Sequence, residues 1–422
     1  MFKKPPTNVG GFLFGITVQN STINCYPIRL SLQRKKNKAM SVRSIYNEEQ
    51  LMFAQSVKEF VAKEITPNNA AWEKQHMVTR ESWLKFGEAG YLCMQVDEQY
   101  GGLGIKDFRY NAIISEELAR SGCAGPAVGY PLHSDIVCPY IEHYGNEATK
   151  QKYLPKMVSG EYIAAIAMTE PGAGSDLQNI RTTAVDKGDH YLVNGSKTFI
   201  TNGYLCDLAV VAVKTDPTKG AKGTSLLVID TTMKGFTKGK PFEKIGLHAQ
   251  DTCELFFENV EVPKENLLGK EGEGFKYMMT ELSQERLVVA LGAIAAAEGT
   301  LAATIQYTKD RNAFGKPISE LQNTRFKLAE VATEITIGRT FVDRCVELHA
   351  EKKLDQATAS MAKYWLTDLQ SKVADECLQL HGGYGYIWEY QVARSWADAR
   401  VQRIYAGTNE IMKELIARNV LK

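Results

Sequence analysis

Between Tyr162 and Pro263 the apolar residues change their spacing, and that change constrains the fold more than any other feature of the chain. Ahead of it, from Asn47 to about Gly160, apolar residues recur at helical intervals. Glu48-Glu49 opens one such segment through Val61, and Ser115 to Arg120 sits in another. Within it come short β-rich runs over Leu208 to Val213, Ser225 to Ile229 and Thr252 to Val262. After Gly269-Lys270-Glu271-Gly272-Glu273-Gly274 the helical spacing returns in three long stretches, roughly 275–309, 320–352 and 355–380. Helical and strand signals kept in separate blocks predict an α+β fold. The expected division is a basic leader over 1–46, an N-terminal all-helical domain over 47–160, a middle β-barrel-like domain over 161–272 and a C-terminal four-helix bundle over 273–422. A chain of 422 residues is long enough for such a division. In the middle block, Tyr191 to Ile200 carries Asn194-Gly195, a dipeptide that predicts a hairpin with a type I′ turn.

Charge and cysteine usage exclude several classes. The formal net charge is +1, and residues 281–422 hold 18 basic and 18 acidic side chains, which gives no footprint for nucleic acid. Eight basic residues and no acidic one fall in the first 47 positions, so the rest carries 42 basic against 49 acidic. That leader reads either as an organelle transit peptide or as an extension ahead of a start at Met40. The first reading places the protein in the mitochondrial matrix, the second in a bacterial cytoplasm. The longest small-and-apolar run, Leu287 to Ala297, is 11 residues, short of the roughly 20 that span a bilayer, so no integral membrane segment is expected. The eight cysteines never fall in a CxxC pair and read as buried thiols, and no HExxH or Gly-x-Ser-x-Gly occurs. No metal site is expected.

Four stretches have chemical potential. Met168-Thr169-Glu170-Pro171-Gly172-Ala173-Gly174-Ser175-Asp176 follows an apolar strand and lets backbone N–H groups approach an anion or a flavin edge, although Leu177 breaks the dinucleotide fingerprint. Gln379-Leu380-His381-Gly382-Gly383-Tyr384-Gly385-Tyr386 interrupts the bundle with three glycines, two more than a helix cap explains. Arg311 to Lys316 ends the first bundle helix with a guanidinium suited to phosphate. The fourth is a carboxylate on an apolar stripe. Helical positions 278, 282, 285, 289, 292 and 296 are Met278, Leu282, Glu285, Val289, Gly292 and Ala296. On periodicity alone, the simpler reading of Glu285 is an acid paired with a lysine or arginine of another helix.

Together with Gly101-Gly102-Leu103-Gly104, Phe199 to Gly203, Phe257 to Val260 and Ile404-Tyr405-Ala406-Gly407-Thr408-Asn409-Glu410, these stretches make the chain from about residue 47 onward resemble the acyl-CoA dehydrogenase family, and its long-chain branch in particular. The resemblance implies an FAD enzyme that converts a saturated acyl-CoA to trans-2-enoyl-CoA, hands its electrons to electron-transfer flavoprotein, and forms a homo-oligomer, expected to be a tetramer. It implies that Ile166, Met168, Thr169, Gly174, Ser175, Phe199 and Thr201 line the flavin. Arg311, Phe314, Gln322, Gln379 and Gly383 would hold the dinucleotide part of a neighbouring subunit's FAD, while Thr408, Asn409 and Glu410 close the site. Ser175, Leu282, Arg286, Tyr405, Ala406 and Gly407 would lie beside the substrate.

One position departs from the short- and medium-chain pattern, in which the catalytic glutamate precedes the glycine of a Tyr-Glu-Gly-Thr turn. Here that position is Ala406, which takes no proton. In long-chain and isovaleryl members the base directly precedes the arginine of the first bundle helix, and that residue is Glu285. The resemblance therefore assigns the base to the acid already singled out by periodicity. It leaves two rivals: an acyl-CoA oxidase that uses molecular oxygen, and a non-catalytic assembly or binding protein on the same fold.

Overall fold

The computed structural model describes residues 43–422, so most of the basic leader, with Cys25, lies outside the described residues. Ile45 and Tyr46, expected to belong to that leader, are buried in the helical core, which therefore begins just ahead of Asn47. Asn47 caps the first helix. Its side chain accepts the Gln50 N–H at 2.8 Å, and the Gln50 side chain accepts the Asn47 N–H at 3.1 Å, which satisfies two of the helix's otherwise free donors.

The N-terminal part consists of α1 (Glu48–Phe60), α2 (Asn69–Gln75), α3 (Arg80–Glu88), α4 (Arg109–Arg120), α5 (Ala124–Pro131), α6 (Cys138–Tyr144) and α7 (Glu147–Ser159). Between α5 and α6 the helix continues through a π-helical segment, Leu132–Val137. Pro131 lacks an N–H and cannot close an ordinary helical bond, so the spiral widens immediately after it. That widened segment carries α6, and with it Tyr140, His143 and Tyr144, against the C-terminal bundle.

The middle part is a seven-stranded sheet of β1 (Ala164–Ala167), β2 (Thr183–Asp186), β3 (His190–Thr201), β4 (Leu208–Lys214), β5 (Thr224–Asp230), β6 (Phe236–Lys238) and β7 (Thr252–Pro263). Its order is β1-β4-β2-β3-β7-β6, with β5 on the other edge of β4. Every residue of β4 and β5 is buried because alternate side chains enter different cores. Leu208, Val210 and Ala212 join the helical core, while Ala209, Val211 and Val213 meet Val193, Leu255 and Val262 in a second core held by the sheet alone. The sheet thus folds over its own core in a barrel-like way, while the pairing path runs from β5 to β6 without closing among the described residues.

The hairpin expected at Asn194-Gly195 is not there. β3 runs straight through that dipeptide, paired antiparallel with β7 from His190 opposite Pro263 to Thr201 opposite Thr252, and Gly195 marks a register shift. A Cβ at Gly195 would lie 2.5 Å from Thr182 Oγ1, so this glycine serves a close approach inside the sheet. The turn falls instead at Lys187–Asp189, where Gly188 takes φ 100° and the Asp186 carboxylate accepts its N–H at 2.8 Å.

Five helices complete the chain: α8 (Gly274–Asp310), α9 (Gln322–Ala350), α10 (Gln356–His381), α11 (Gln391–Ala399) and α12 (Asn409–Val420). α8 packs against α10 and α9 and also against α4, where a Cβ on Gly299 would come within 2.2 Å of the Arg120 carbonyl oxygen. Arg339 of α9 reaches Glu116 of α4 and Glu298 of α8, both at 2.7 Å, tying the two helical parts together. By length and composition α8 is a helix that could cross a bilayer, with a stretch of mean hydropathy 1.8, longer than the 11-residue run suggested. Two-thirds of that stretch is buried inside the protein, as fits the core helix of a bundle. The seven described cysteines are free and buried.

Candidate active site

Glu285 lies on the buried face of α8 with 6% of its surface exposed. Its partner is not the lysine or arginine that the simpler reading supplied. The Tyr140 hydroxyl of α6 donates to Glu285 Oε1 at 2.8 Å. Burial pushes the Glu285 carboxyl up to about 7. The Tyr140 hydrogen bond opposes that shift, Glu281 adds to it and Arg286 offsets it. Leu282, one turn earlier, is buried on the same side.

Arg286 turns toward α10, where its guanidinium donates to Ser360 Oγ at 3.3 Å. One turn along α10, Lys363 is fully buried. Its ammonium donates to the Gly407 carbonyl oxygen at 2.7 Å and to Asn409 Oδ1 at 3.0 Å. Consecutive turns of α10 therefore hold the neighbour of Glu285 and the turn at 405–409. In that turn Ala406 takes φ 52° and Gly407 φ 86°, and the Tyr405 hydroxyl donates to Gln402 Oε1 at 2.6 Å. Thr408 caps α12 by accepting the Ile411 N–H, and Glu410 is exposed. Asn409, expected to close the cofactor site, is buried and faces α10, with its amide donating to Thr367 and Asp368 at 3.0 Å each.

The loop after β1 and the far half of β3 come together. The Thr198 N–H donates to the Thr169 carbonyl oxygen at 2.9 Å. Beneath them the fully buried Lys197 donates to Met168 O at 3.1 Å and to Glu170 Oε1 at 2.8 Å. Glu170 in turn accepts the N–H groups of Arg181 and Thr182, so one buried ion pair pins both ends of the loop. Above it Ile166, Met168, Thr169 and Thr201 are half-buried. Phe199, in the left-handed region at φ 59°, is 67% exposed. Gly174 and Ser175 stand exposed at the loop's tip, and a Cβ on Gly174 would meet nothing within 4 Å. An apolar shelf bordered by a hydroxyl and an open glycine edge fits the ring system of a flavin.

This shelf and Glu285 share one support. His133, at the π-helical turn, accepts the Ala164 N–H at 3.0 Å where β1 begins. Tyr140 lies only roughly 10 Å of helical rise further on. Arg311, Gln379 and Gly383 instead line a separate groove of about 600 Å³ at the far end of α8, with the Arg311 guanidinium 5.5 Å from the Tyr384 ring centre. Phe314 (92% exposed) and Gln322 lie on the surface nearby.

Tyr140, Glu281, Lys363 and the Lys197–Glu170 pair were not singled out from sequence. Lys363 carries the same signal as Glu285, a charge at helical spacing from the apolar Ala359, Leu366 and Val373. Lys197 falls on the same alternating face of β3 as the buried Tyr191 and Val193, but a turn expected at Asn194-Gly195 breaks that alternation before it reaches the lysine.

Comparison with known proteins agrees along the whole described body. Residues 47–161, 165–260 and 272–421 match the N-terminal, middle and C-terminal domains of acyl-CoA dehydrogenase. The chain is 50% identical over 389 residues to the long-chain specific acyl-CoA dehydrogenase of Sus scrofa mitochondria, covering 92% of this chain and 90% of that one. A crystal structure of an acyl-CoA dehydrogenase from Geobacillus kaustophilus superposes with a TM-score of 0.87 at 55% identity, over 90% of this chain and all of that one. A glutaryl-CoA dehydrogenase from Mycobacterium smegmatis, solved with FADH2, gives a TM-score of 0.84 at 29% identity, over 89% and 95% of the two chains. With three domains matched in order and half the residues shared with a long-chain relative, the chain belongs to the acyl-CoA dehydrogenase family of FAD-dependent oxidoreductases.

Proposed function

We propose that this enzyme dehydrogenates long saturated acyl-CoA thioesters, with Glu285 as the base that removes the α-proton. The observation that carries the assignment is a carboxyl buried on α8 and pushed up to about 7, in a chain whose turn offers only Ala406. A carboxylate titrating near neutrality is a far better acceptor of a weakly acidic C–H proton than an ordinary one at about 4.3. The negative charge that develops on the thioester oxygen needs a donor that does not have to reorganise. The Ala406 backbone N–H, in a turn anchored by Lys363, is suited to that task, and it needs no side chain.

FAD, when bound on the shelf of Met168, Thr169, Phe199 and Thr201, supplies the acceptor for the β-hydride. The protein supplies alignment: Ile166, Gly174 and Ser175 border the ring system, Leu282 keeps the base dry, and Arg286 and Tyr405 frame the thioester. The second groove lies roughly 40 Å along α8 from Glu285. Its Arg311, Gln379 and Gly383, with Phe314 and Gln322 on the surface nearby, therefore suit the dinucleotide end of a cofactor whose flavin sits in another copy of the chain, which supports a homo-oligomer, expected to be a tetramer. Half identity to a long-chain relative supports the substrate class, and electron-transfer flavoprotein is the acceptor expected with it.

A panel of saturated acyl-CoAs of graded length, read by anaerobic bleaching of the flavin, tests the reading. The fastest bleaching is expected with long chains and none with Glu285→Gln. Normal bleaching in that variant overturns the base, a short-chain optimum overturns the substrate class, and peroxide formed in step with turnover makes the protein an oxidase.

A further inference from the structure

Glu281 lies one turn before Glu285 on the same face of α8, and it too is buried, at 7% exposure. Two acids at this spacing have their Cβ atoms about 5–6 Å apart and repel each other. An apolar stripe holds such a pair only if each member has its own donors. Here all the donors come from α6. The Tyr144 hydroxyl donates to Glu281 Oε1 at 2.8 Å, and His143 Nδ1 lies 3.0 Å from the same oxygen. Tyr140, on the same helix, serves Glu285. The two carboxylates therefore accept from separate partners, whose rings lie 6.3 Å apart on α6, and their charges face each other along the stripe. His143 differs from the rest in having half of its side chain in solvent, so it exchanges protons freely while touching a buried acid.

We propose that Glu281 sets the basicity of Glu285 through its charge, with His143 and Tyr144 holding it at that task. The inference rests on Glu285 being the base. A negative charge one turn away disfavours the charged form of Glu285 and so keeps the proton acceptor strong. His143, when protonated, partly neutralises that charge and weakens the effect. The hydrogen bond to Glu281 holds the imidazole's titration above its ordinary value, so His143 keeps its proton to a higher pH than a free imidazole does.

The other groups facing the pair do not replace this coupling. On α8, Arg286 acts against Glu281 but turns toward Ser360. From α9, His349 Nε2 donates to Gln284 Oε1 at 2.9 Å, and burial lowers it to about 4, so it carries no charge near neutrality. Beyond His143, Lys106 is engaged by Glu142 at 2.7 Å and Asp97 at 2.9 Å.

The test is the pH profile of single-turnover flavin bleaching in the FAD-loaded enzyme, at a saturating long-chain acyl-CoA, for three variants. Glu281→Gln is expected to move the acid limb down by about one pH unit, as a lost like charge ~6 Å away does in a medium between protein and water. The plateau should fall several-fold, because the base is weaker. His143→Gln is expected to move the limb the other way. A 13C carboxylate titration of Glu285 in the same proteins, assigned by its loss in Glu285→Gln, should move in step. A structural role alone lowers the rate at every pH and leaves the limb in place, and that result overturns the proposal. If Glu281→Gln does not accumulate with FAD, the upward shift in His143→Gln decides, and its absence refutes the coupling. Glu285→Gln separates the two ideas: if it bleaches normally the base assignment fails, whereas if it is inert while the other limbs stay fixed, only the role of Glu281 fails.

Discussion

Tyr140 and Glu285 lie 145 positions apart in the chain and meet at 2.8 Å, phenol to carboxylate, in a site with almost no access to water. The phenol donates, so it favours the charged form of the acid and holds back the upward push of burial. Tyr140→Phe removes that restraint without changing the ring. The acid limb of the flavin-bleaching rate is expected to move up by about one pH unit, so that the variant is slow at pH 7 and recovers at pH 9. Stopped-flow bleaching across that range checks it, and a profile that is lower but unshifted contradicts it.

The same burial predicts a stability cost. Below the ordinary carboxylate value near 4.3, both folded and unfolded chains carry the proton on Glu285, and its contribution cancels. As pH rises from there to about 7, the unfolded chain sheds the proton and the folded one keeps it, so stability falls across that window and stays low above it. Glu285→Gln carries no titrating group. It is expected to be more stable than the parent by about 3 to 4 kcal/mol at pH 8 and to match it near pH 4. Thermal unfolding of the two proteins at both pH values measures the difference.

The sequence shows the architecture more readily than the site. The three long helices of the bundle fall within a few residues of their expected limits because α8, α9 and α10 each bury a stripe over many turns, and a long period is hard to misread. Asn194-Gly195 misleads because a glycine needed for a turn and a glycine needed for contact with Thr182 look alike in one dimension. Glu285 is visible as a charge on an apolar face. Its partner is not, because nothing local in Cys138–Tyr144 indicates that a π-helical turn after Pro131 carries Tyr140 onto α8. The separation of the groove at Arg311 from Glu285 is likewise a matter of distance along a helix, which periodicity does not convey.

Lys197 and Glu170 form an ion pair under the shelf proposed for the flavin, in which the lysine is wholly buried and burial lowers its ammonium to about 8. Removing one member leaves the other charge without its partner, which costs about 3–5 kcal/mol. Lys197→Met is therefore expected to lose stability on that scale and to purify with much less FAD, because the Met168 carbonyl oxygen and Glu170 lose their shared anchor. The double variant Lys197→Met with Glu170→Gln removes both charges and should recover part of the stability but not the cofactor, since the loop remains unpinned. Flavin absorbance per protein together with unfolding midpoints separates the two effects.

Lys363 tests whether the turn and the base are held as one unit. Its ammonium fixes the Gly407 carbonyl oxygen and Asn409, while Arg286, the neighbour of the base, binds Ser360 one turn away on α10. Lys363→Met keeps the length of the side chain but leaves the half-buried Gly407 carbonyl oxygen without its donor, at about 1–3 kcal/mol, and leaves Asn409 Oδ1 with only the Thr367 hydroxyl at 3.3 Å. With the turn released, the Ala406 N–H would no longer be held for the role proposed for it at the thioester oxygen. Flavin reduction should slow by about 10²-fold or more, the scale on which a lost oxyanion donor acts, while FAD content stays near that of the parent, because the shelf on β1 and β3 is untouched. Lys363→Arg keeps the charge but has no room for a guanidinium at a site with no exposed surface, and it should fail to restore the rate. A variant that unfolds more easily yet reduces its flavin at the parental rate would show that Lys363 supports the bundle and not the chemistry.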